Sequence, residues 1–487
     1  MATVQGNPFA KVVALRSGKR TQWRPLIRVA LRIIAALLLM PAARAEQSHQ
    51  IEQSLLDWIN SNAHPLTTTD PNGTVDDLEP LRSIVGAAEI VGLGEATHGS
   101  HELWTVRQRI LRYLVERMGF TGFVLEAPWP VGVQLDEYVS HGNGDLSAIL
   151  GPAWPLDSQE MADLFRWIRA YNAAPDHPNK VRVAAMDISL LTPEMFDRVT
   201  RYVKDTDPSL LSQVQRGYEG LRAAALEKNQ SAAVLPKKYE SLTPAKKAKL
   251  RSGSERVEEL LRSHEKQLVD RSSRQAFDSA LECAQVISQF ARFGFLLATD
   301  RPAGFTEHER AMATNAAWWH DLVGKTIVWA HDAHIAKHTM LPKVYPDGMT
   351  GTFLRERYGD KYVTIATSFG QGAYTAMETD PNAPAARGAS SRMITIKLNP
   401  LPADSSTAVL NQVKGLGYIL DLRGAPPAVR TWLEQPRSFQ IGLAAAVDDP
   451  KWLADNTVVT GSLANWFDVL IHLREVTAGH PSSWTVH

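Results

Sequence analysis

Seven short apolar runs, rich in β-branched residues, fall at 88–93, 121–125, 181–186, 326–330, 362–366, 417–422 and 468–473, and the first four lead straight into a carboxylate or an imidazole. The first leads to Glu95 and His98, the second to Glu126, the third to Asp187, and the fourth to His331 and His334. Helical patterns separate the early runs. Continuous apolar strands alternating with helices specify a parallel sheet buried on both faces. The expected fold is therefore α/β, with a mostly parallel central sheet flanked by helices. The stretch 193–298 departs from this rhythm. It is helical by period, rich in Lys, Arg and Glu, and carries no strand signal, which marks a helical insertion serving as a lid or as a solvated structural hairpin. Within it, 232–245 holds Pro236, Pro244 and several lysines and reads as an exposed loop.

The N-terminus has a separate character. Lys11, Arg16, Lys19, Arg20, Arg24, Arg28 and Arg32 precede the apolar stretch 33–42, and Ala43-Arg44-Ala45 precedes Glu46. A basic segment, a short apolar core and an A-x-A site have the plan of a secretory signal. The core falls short of the roughly 20 residues a membrane span needs. Residues 1–45 are thus expected to be a signal peptide, or alternatively an N-terminal anchor, with the folded domain at 46–487. Localisation would be periplasmic or secreted, with no stable membrane span after cleavage. Across the whole chain Lys+Arg and Asp+Glu both number 52, so no net charge argues for a nucleic-acid partner. The single cysteine, Cys283, stands in an apolar helical pattern with Phe277, Leu281 and Ile287 and reads as a core residue.

In open α/β sheets ligands bind outside the carboxyl ends of the strands. A lone polar residue at a strand end means little, but four such ends on one edge converge on one crevice. The turn written GEATHG (94–99) aims Glu95 and His98 there, and its glycines permit a sharp turn and leave room for substrate. Ser100 is placed as the N-cap of a helix over 101–117. With Leu103 set at zero, Arg107 falls at about 40°, inside the apolar stripe, while Arg109, Arg112 and Glu116 fall on the opposite, wet face. A guanidinium turned inward must find a carboxylate or a ligand, and Glu95 and Glu126 are the candidates. His331 and His334 form a His-x-x-His pair. With His98 they would suit either a zinc or manganese site of mixed N/O ligands or neutral imidazoles that orient water. Thr306 to Glu309 reads as a capping box opening a helix that brings Arg310 and Asn315, with Asp187, to the substrate side, or ties helix to sheet.

There is no Gly-x-Ser-x-Gly elbow, Walker A loop, Gly-x-Gly-x-x-Gly or His-Glu-x-x-His. The motifs that are present resemble the erythromycin esterase family: GEATHG, Arg107, VLEA (124–127), MD (186–187), a helix with Arg310, Met312 and Asn315, WAHDAHI (329–335) and YG at Tyr358, in the family's order over most of 85–475. The resemblance implies an α/β core with a helical lid, hydrolysis of a small-molecule ester such as a macrolide lactone, and resistance to such antibiotics. By motif it assigns the general base to His98, with Glu95, Arg107, Glu126, His331 and His334 in support. No cofactor is expected, the alternative being the divalent metal at His98, His331 and His334. The family commonly has Asn where this chain has Asp332, which adds a negative charge near the histidines and favours cation binding here. The competing readings are a hydrolase holding a divalent metal at His98, His331 and His334, an exported protein that binds a small molecule without turnover, and a role in envelope polysaccharide processing.

Overall fold

The computed structural model describes residues 50, 52–151, 155–225, 235–379 and 392–482. The signal or anchor expected at 1–45 lies outside the described residues. The chain divides into Met1–Leu55 and Leu56–His487. Of the first unit, residues 50 and 52–55 are described and are helical. The second unit carries the sheet and the site.

The sheet strands, in chain order, are β1 (His64–Pro65), β2 (Ile90–Glu95), β3 (Gly122–Pro128), β4 (Arg182–Asp187), β5 (Thr326–His331), β6 (Tyr362–Glu378), β7 (Met393–Leu398), β8 (Gly417–Asp421), β9 (Arg437–Gln440), β10 (Ala445–Ala446), β11 (Val458–Gly461) and β12 (Val469–Val476). The main sheet runs β1-β8-β12-β6-β2-β5-β3-β4, with β7 and β10 also paired to β6, while β9 and β11 form a separate ribbon. From β12 to β4 every neighbouring pair is parallel. β8 is antiparallel to β12, and β1 is antiparallel to β8. All seven apolar runs are strands, and β2 is buried along its whole length, as a strand covered on both faces should be.

The site follows from strand order. β5 lies between β2 and β3, so the ends of β2, β5, β3 and β4 stand side by side. Glu95 pairs in register with His331 across β2 and β5. The β3–β4 register shifts between Leu125 and Pro128, an irregularity that frees Glu126 from regular pairing.

Between β4 and β5 the chain forms helices at Pro193–Thr206, Leu211–Ala225, Pro244–Ser263 and Arg274–Thr299, followed by Arg301–Val323. The first four pack around their own apolar cluster, which includes Phe196, Tyr218, Leu261, Phe277 and Phe290. Cys283 is buried in it, with burial pushing its thiol up to about 12. The segment expected as an exposed loop is partly core. Leu235 and Tyr239 are buried, and Tyr239 stacks edge-on against Phe290 and donates to the Ala291 carbonyl. Among the described residues no helix is long and apolar enough to cross a membrane.

Candidate active site

The His101–Met118 helix starts where expected, with Ser100 at the N-cap, although the Ser100 hydroxyl is engaged by Thr97 and the Ala373 carbonyl rather than by the helix. Leu103, Val106, Ile110, Leu111 and Leu114 face the core, and Arg107 lies among them fully buried. Arg109, expected on the wet face, is also fully buried, because the segment around Thr68 to Asp77 covers that side. Its guanidinium meets the Asp77 carboxylate and the carbonyls of Thr68 and Thr74. Helical angle alone does not show which faces a preceding segment will cover.

Arg107 donates to Glu95 Oε2 and, at 2.8 Å, to the Leu93 carbonyl, and its guanidinium lies 3.6 Å over the Trp329 ring. Trp104 Nε1 donates to the same Glu95 oxygen at 2.9 Å. That leaves Glu95 Oε1 for His98 Nδ1, at 2.7 Å. A carboxylate held by a guanidinium accepts, so the His98 proton sits on Nδ1 and the Nε2 lone pair faces outward. Nε2 looks across 4.0 Å to Glu126 Oε1 beside a small crevice that Glu95, His98, Trp104, Glu126 and Met161 line.

Glu126 is held ionised from three sides. Its Oε2 accepts the His331 backbone N–H at 2.7 Å, and its Oε1 lies 3.2 Å from His334 Nε2. Burial opposes the charge, but the neighbouring His334 and His98 pull its carboxyl far below the usual range. His334 is sandwiched, with Nδ1 2.9 Å from Glu309 Oε2 and Nε2 on Glu126, so both nitrogens donate. Against the cost of burial, the two carboxylates hold it well above the ordinary imidazole value, as an imidazolium. His98 is also raised, since Glu126 and Glu95 outweigh its burial.

His331 meets backbone rather than carboxylates. Its Nε2 donates toward the Ala96 and Gly442 carbonyls, both at 3.2 Å, and its Nδ1 accepts the Ala333 N–H. Burial first, and then the neighbouring His98, push its pKa down to about 3, which keeps it neutral. With both nitrogens committed to backbone, it braces the turn. To a divalent metal at His98, His331 and His334, His331 would bring no free nitrogen, since both of its nitrogens bond to backbone. Arg107 likewise is fully buried, with its guanidinium on Glu95 and the Leu93 carbonyl. Asp332 is not an added charge in the cleft. Fully buried, with Oδ1 accepting from the Thr367 N–H and Oδ2 without a partner, it is pushed by burial well above the usual carboxylate range. The motif glycines serve close packing rather than substrate. A Cβ on Gly94 would strike Asp332 Oδ1, and one on Gly99 would strike the Thr375 backbone.

On the far side of His334, the helix expected to open at Thr306 begins at Arg301, capped by the Asp300 side chain, so Thr306 to Glu309 is no capping box. Glu309 instead enters the site, fully buried, its Oε2 also accepting from the Thr350 N–H and hydroxyl. His308 Nε2 lies 3.4 Å from Asp187 Oδ1, and burial of Asp187 is outweighed by His308, which keeps its carboxyl low. Arg310 is exposed and stacks 4.2 Å over Phe353, away from this cluster. Asn315 is buried and donates to the Met186 carbonyl, tying helix to sheet. Glu309 and His308 escaped the sequence reading. Glu309 stands at the head of an i, i+3, i+4, i+7 stripe with the buried Met312, Ala313 and Ala316, the same signal that exposed Arg107.

The model of the erythromycin esterase family matches residues 115–476, some three-quarters of the sequence. The chain belongs to the erythromycin esterase family. It is 24% identical over 338 residues to the erythromycin esterase type II of Escherichia coli, covering 66% of this chain and 78% of that one. It is also 24% identical over 439 residues to Bacillus subtilis YbfO, whose name assigns it provisionally to the hydrolases, covering 85% and 92% of the two chains. Among solved structures, a Bacillus cereus protein superposes with a TM-score of 0.77 at 33% identity, covering 89% of this chain and 99% of that one. A succinoglycan biosynthesis protein superposes at 0.76 and 30%, with the same coverage. A mutant of the erythromycin esterase EreC in its open conformation shares the fold at 0.66 and 19%, covering 86% and 98%. Family membership makes the protein a hydrolase of this type.

Proposed function

We propose that this family member hydrolyses a carboxylic ester, a macrolide lactone among the candidates, with His98 as general base. The observation that carries the reading is the Glu95–His98 bond at 2.7 Å, which fixes the proton on Nδ1 and leaves Nε2 free at the cleft. Nε2 takes a proton from water, and the water oxygen bonds to the ester carbonyl carbon. Such general-base help is worth about 10²–10⁴-fold, and Glu95 stabilises the imidazolium as it forms. The His334 imidazolium, anchored by Glu126 and Glu309, offsets the charge that gathers on the carbonyl oxygen. Collapse of the tetrahedral intermediate breaks the bond to the alkoxide, which takes back the proton from His98.

The reading is tested by incubating the purified protein with macrolactones and simple aryl esters and following products by mass spectrometry. Addition of one water to a substrate by the wild type, lost in a folded His98→Ala variant, is the expected result. Binding without product would point to a capture protein, and near-native turnover in His98→Ala would remove His98 from the role. We also propose that 1–45 directs export to the periplasm or beyond. N-terminal sequencing of envelope-fraction protein should begin at Glu46, and an intact N-terminus on that material would favour an anchor.

A further inference from the structure

A second cluster of ligating side chains stands apart from the cleft. His101 opens the His101–Met118 helix, Glu160 lies in the first turn of the Gln159–Ala173 helix, and His480 lies on the C-terminal strap that follows β12. One ligand atom from each falls within 4.8 Å of the others. His101 Nδ1 is 2.6 Å and His480 Nδ1 2.7 Å from the same oxygen, Glu160 Oε1. The two rings meet edge to face at 4.8 Å between centroids. Two imidazoles with one buried carboxylate are the donor set of three-ligand zinc sites, in which water completes the tetrahedron. Glu160 is nearly sealed, whereas the His101 and His480 side chains are 35% and 57% exposed, so a fourth position opens to solvent.

We propose that His101, Glu160 and His480 bind a divalent ion of the zinc class. Imidazole nitrogens favour zinc and its transition-metal neighbours over calcium or magnesium, which prefer all-oxygen sets. An ion about 2.1 Å from each donor needs the donors roughly 3.4 Å apart, so the rings must each withdraw from Glu160 by somewhat under 1 Å. Glu160 is already braced by the His480 backbone N–H at 3.2 Å, and its own carbonyl accepts from Gln108 Nε2 at 2.6 Å. Such surrounding bonds hold a ligand in place for the metal. The ion would clip the strap to two helices. The strap is also held by backbone bonds, among them the His101 N–H to the Thr477 carbonyl, the Gln159 N–H to the His480 carbonyl and the Gly479 N–H to the Gly99 carbonyl, and by Glu102, Thr375 and Asp157.

The test uses the full chain, stripped with chelator and titrated with Zn²⁺ against a chromophoric competitor. One equivalent should bind, with affinity falling at least tenfold in His480→Ala and in Glu160→Gln and unchanged in His98→Ala. His480 is exposed, so its loss leaves the fold intact, and a Zn²⁺-dependent rise in Tm should be present in wild type and His98→Ala and absent in His480→Ala. Co²⁺ should give a tetrahedral absorption band that His480→Ala abolishes. Failure to bind one equivalent, or equal affinity in wild type and His480→Ala, would overturn the site. Loss of binding in His98→Ala alone would move the metal to the cleft and overturn it equally.

Discussion

Glu95 and His98, one turn of backbone apart, are joined at 2.7 Å by a bond that Arg107 and Trp104 set from behind, since they occupy the other Glu95 oxygen. The order is carboxylate, imidazole, open nitrogen, and each member is held by the one before it. On the opposite wall the same logic runs from Glu309 through His334 to Glu126. Two histidines therefore face one carboxylate oxygen in contrasting degrees, His334 held well above the ordinary imidazole value and His98 above it.

That contrast sets a pH dependence. His98 works as a base only when neutral, and its pKa is raised above 6.5 because Glu126 and Glu95 outweigh its burial. Below that raised value the ring is protonated and the rate falls, so the acid limb of kcat/KM should lie above pH 6.5. Glu126→Gln removes one of the two attracting charges and should carry the limb to lower pH while also reducing the plateau. A pH–rate profile of the two proteins decides the matter, and a limb that stays in place in Glu126→Gln would separate His98 from the observed titration.

Arg107 should matter through stability. It is fully buried, and truncating one partner of a buried ion pair leaves the other uncompensated, at about 3–5 kcal/mol. Arg107→Ala should lose that amount in denaturant unfolding. Arg107→Lys should recover only part, since a point charge cannot reach both Glu95 and the Leu93 carbonyl while stacking on Trp329. Full recovery by lysine would mean that charge alone accounts for the arginine.

His334 is argued to act on charge in the transition state. Removing one such preorganised group costs about 10²–10³ in kcat. His334→Ala should show a loss of that size with KM little changed, and Glu309→Gln a smaller one, because His334 keeps one of its two carboxylates. A change confined to KM would place His334 in substrate binding instead.

The strands were legible because a strand buried on both faces leaves a plain run of apolar residues, and all seven runs are strands of the sheet. Arg107 was legible because a charge inside an apolar stripe stands out. The division of labour among the histidines was not. His331 and His334 are three residues apart, yet one meets carbonyls and the other carboxylates, which depends on elements far away in sequence at Gly442 and Glu309. Arg109 was misread because its cover comes from the segment around Asp77. The pattern Thr306 to Glu309 imitates a helix start, while the actual cap at Asp300, followed by Pro302 in the first turn, is an equally ordinary signal.

Asp332 offers the sharpest test of environment against composition. Its carboxyl is fully buried against Gly94, with Oδ2 lacking a partner, and burial outweighs the pull of the Thr367 N–H and of Arg107. Its folded pKa therefore lies well above the ordinary 3.8. Between the unfolded and folded values the native state binds more protons than the unfolded state, so stability falls as pH rises through that window. Below about pH 4 the side chain is protonated in both states and the penalty vanishes. Asp332→Asn has the same shape and no charge to bury. It should match the wild type in urea unfolding near pH 4 and exceed it at pH 7, with the gap widening steadily between them. A gap that does not change with pH, or a variant weaker than wild type at pH 7 alone, would show that the carboxylate is ionised in the folded protein after all.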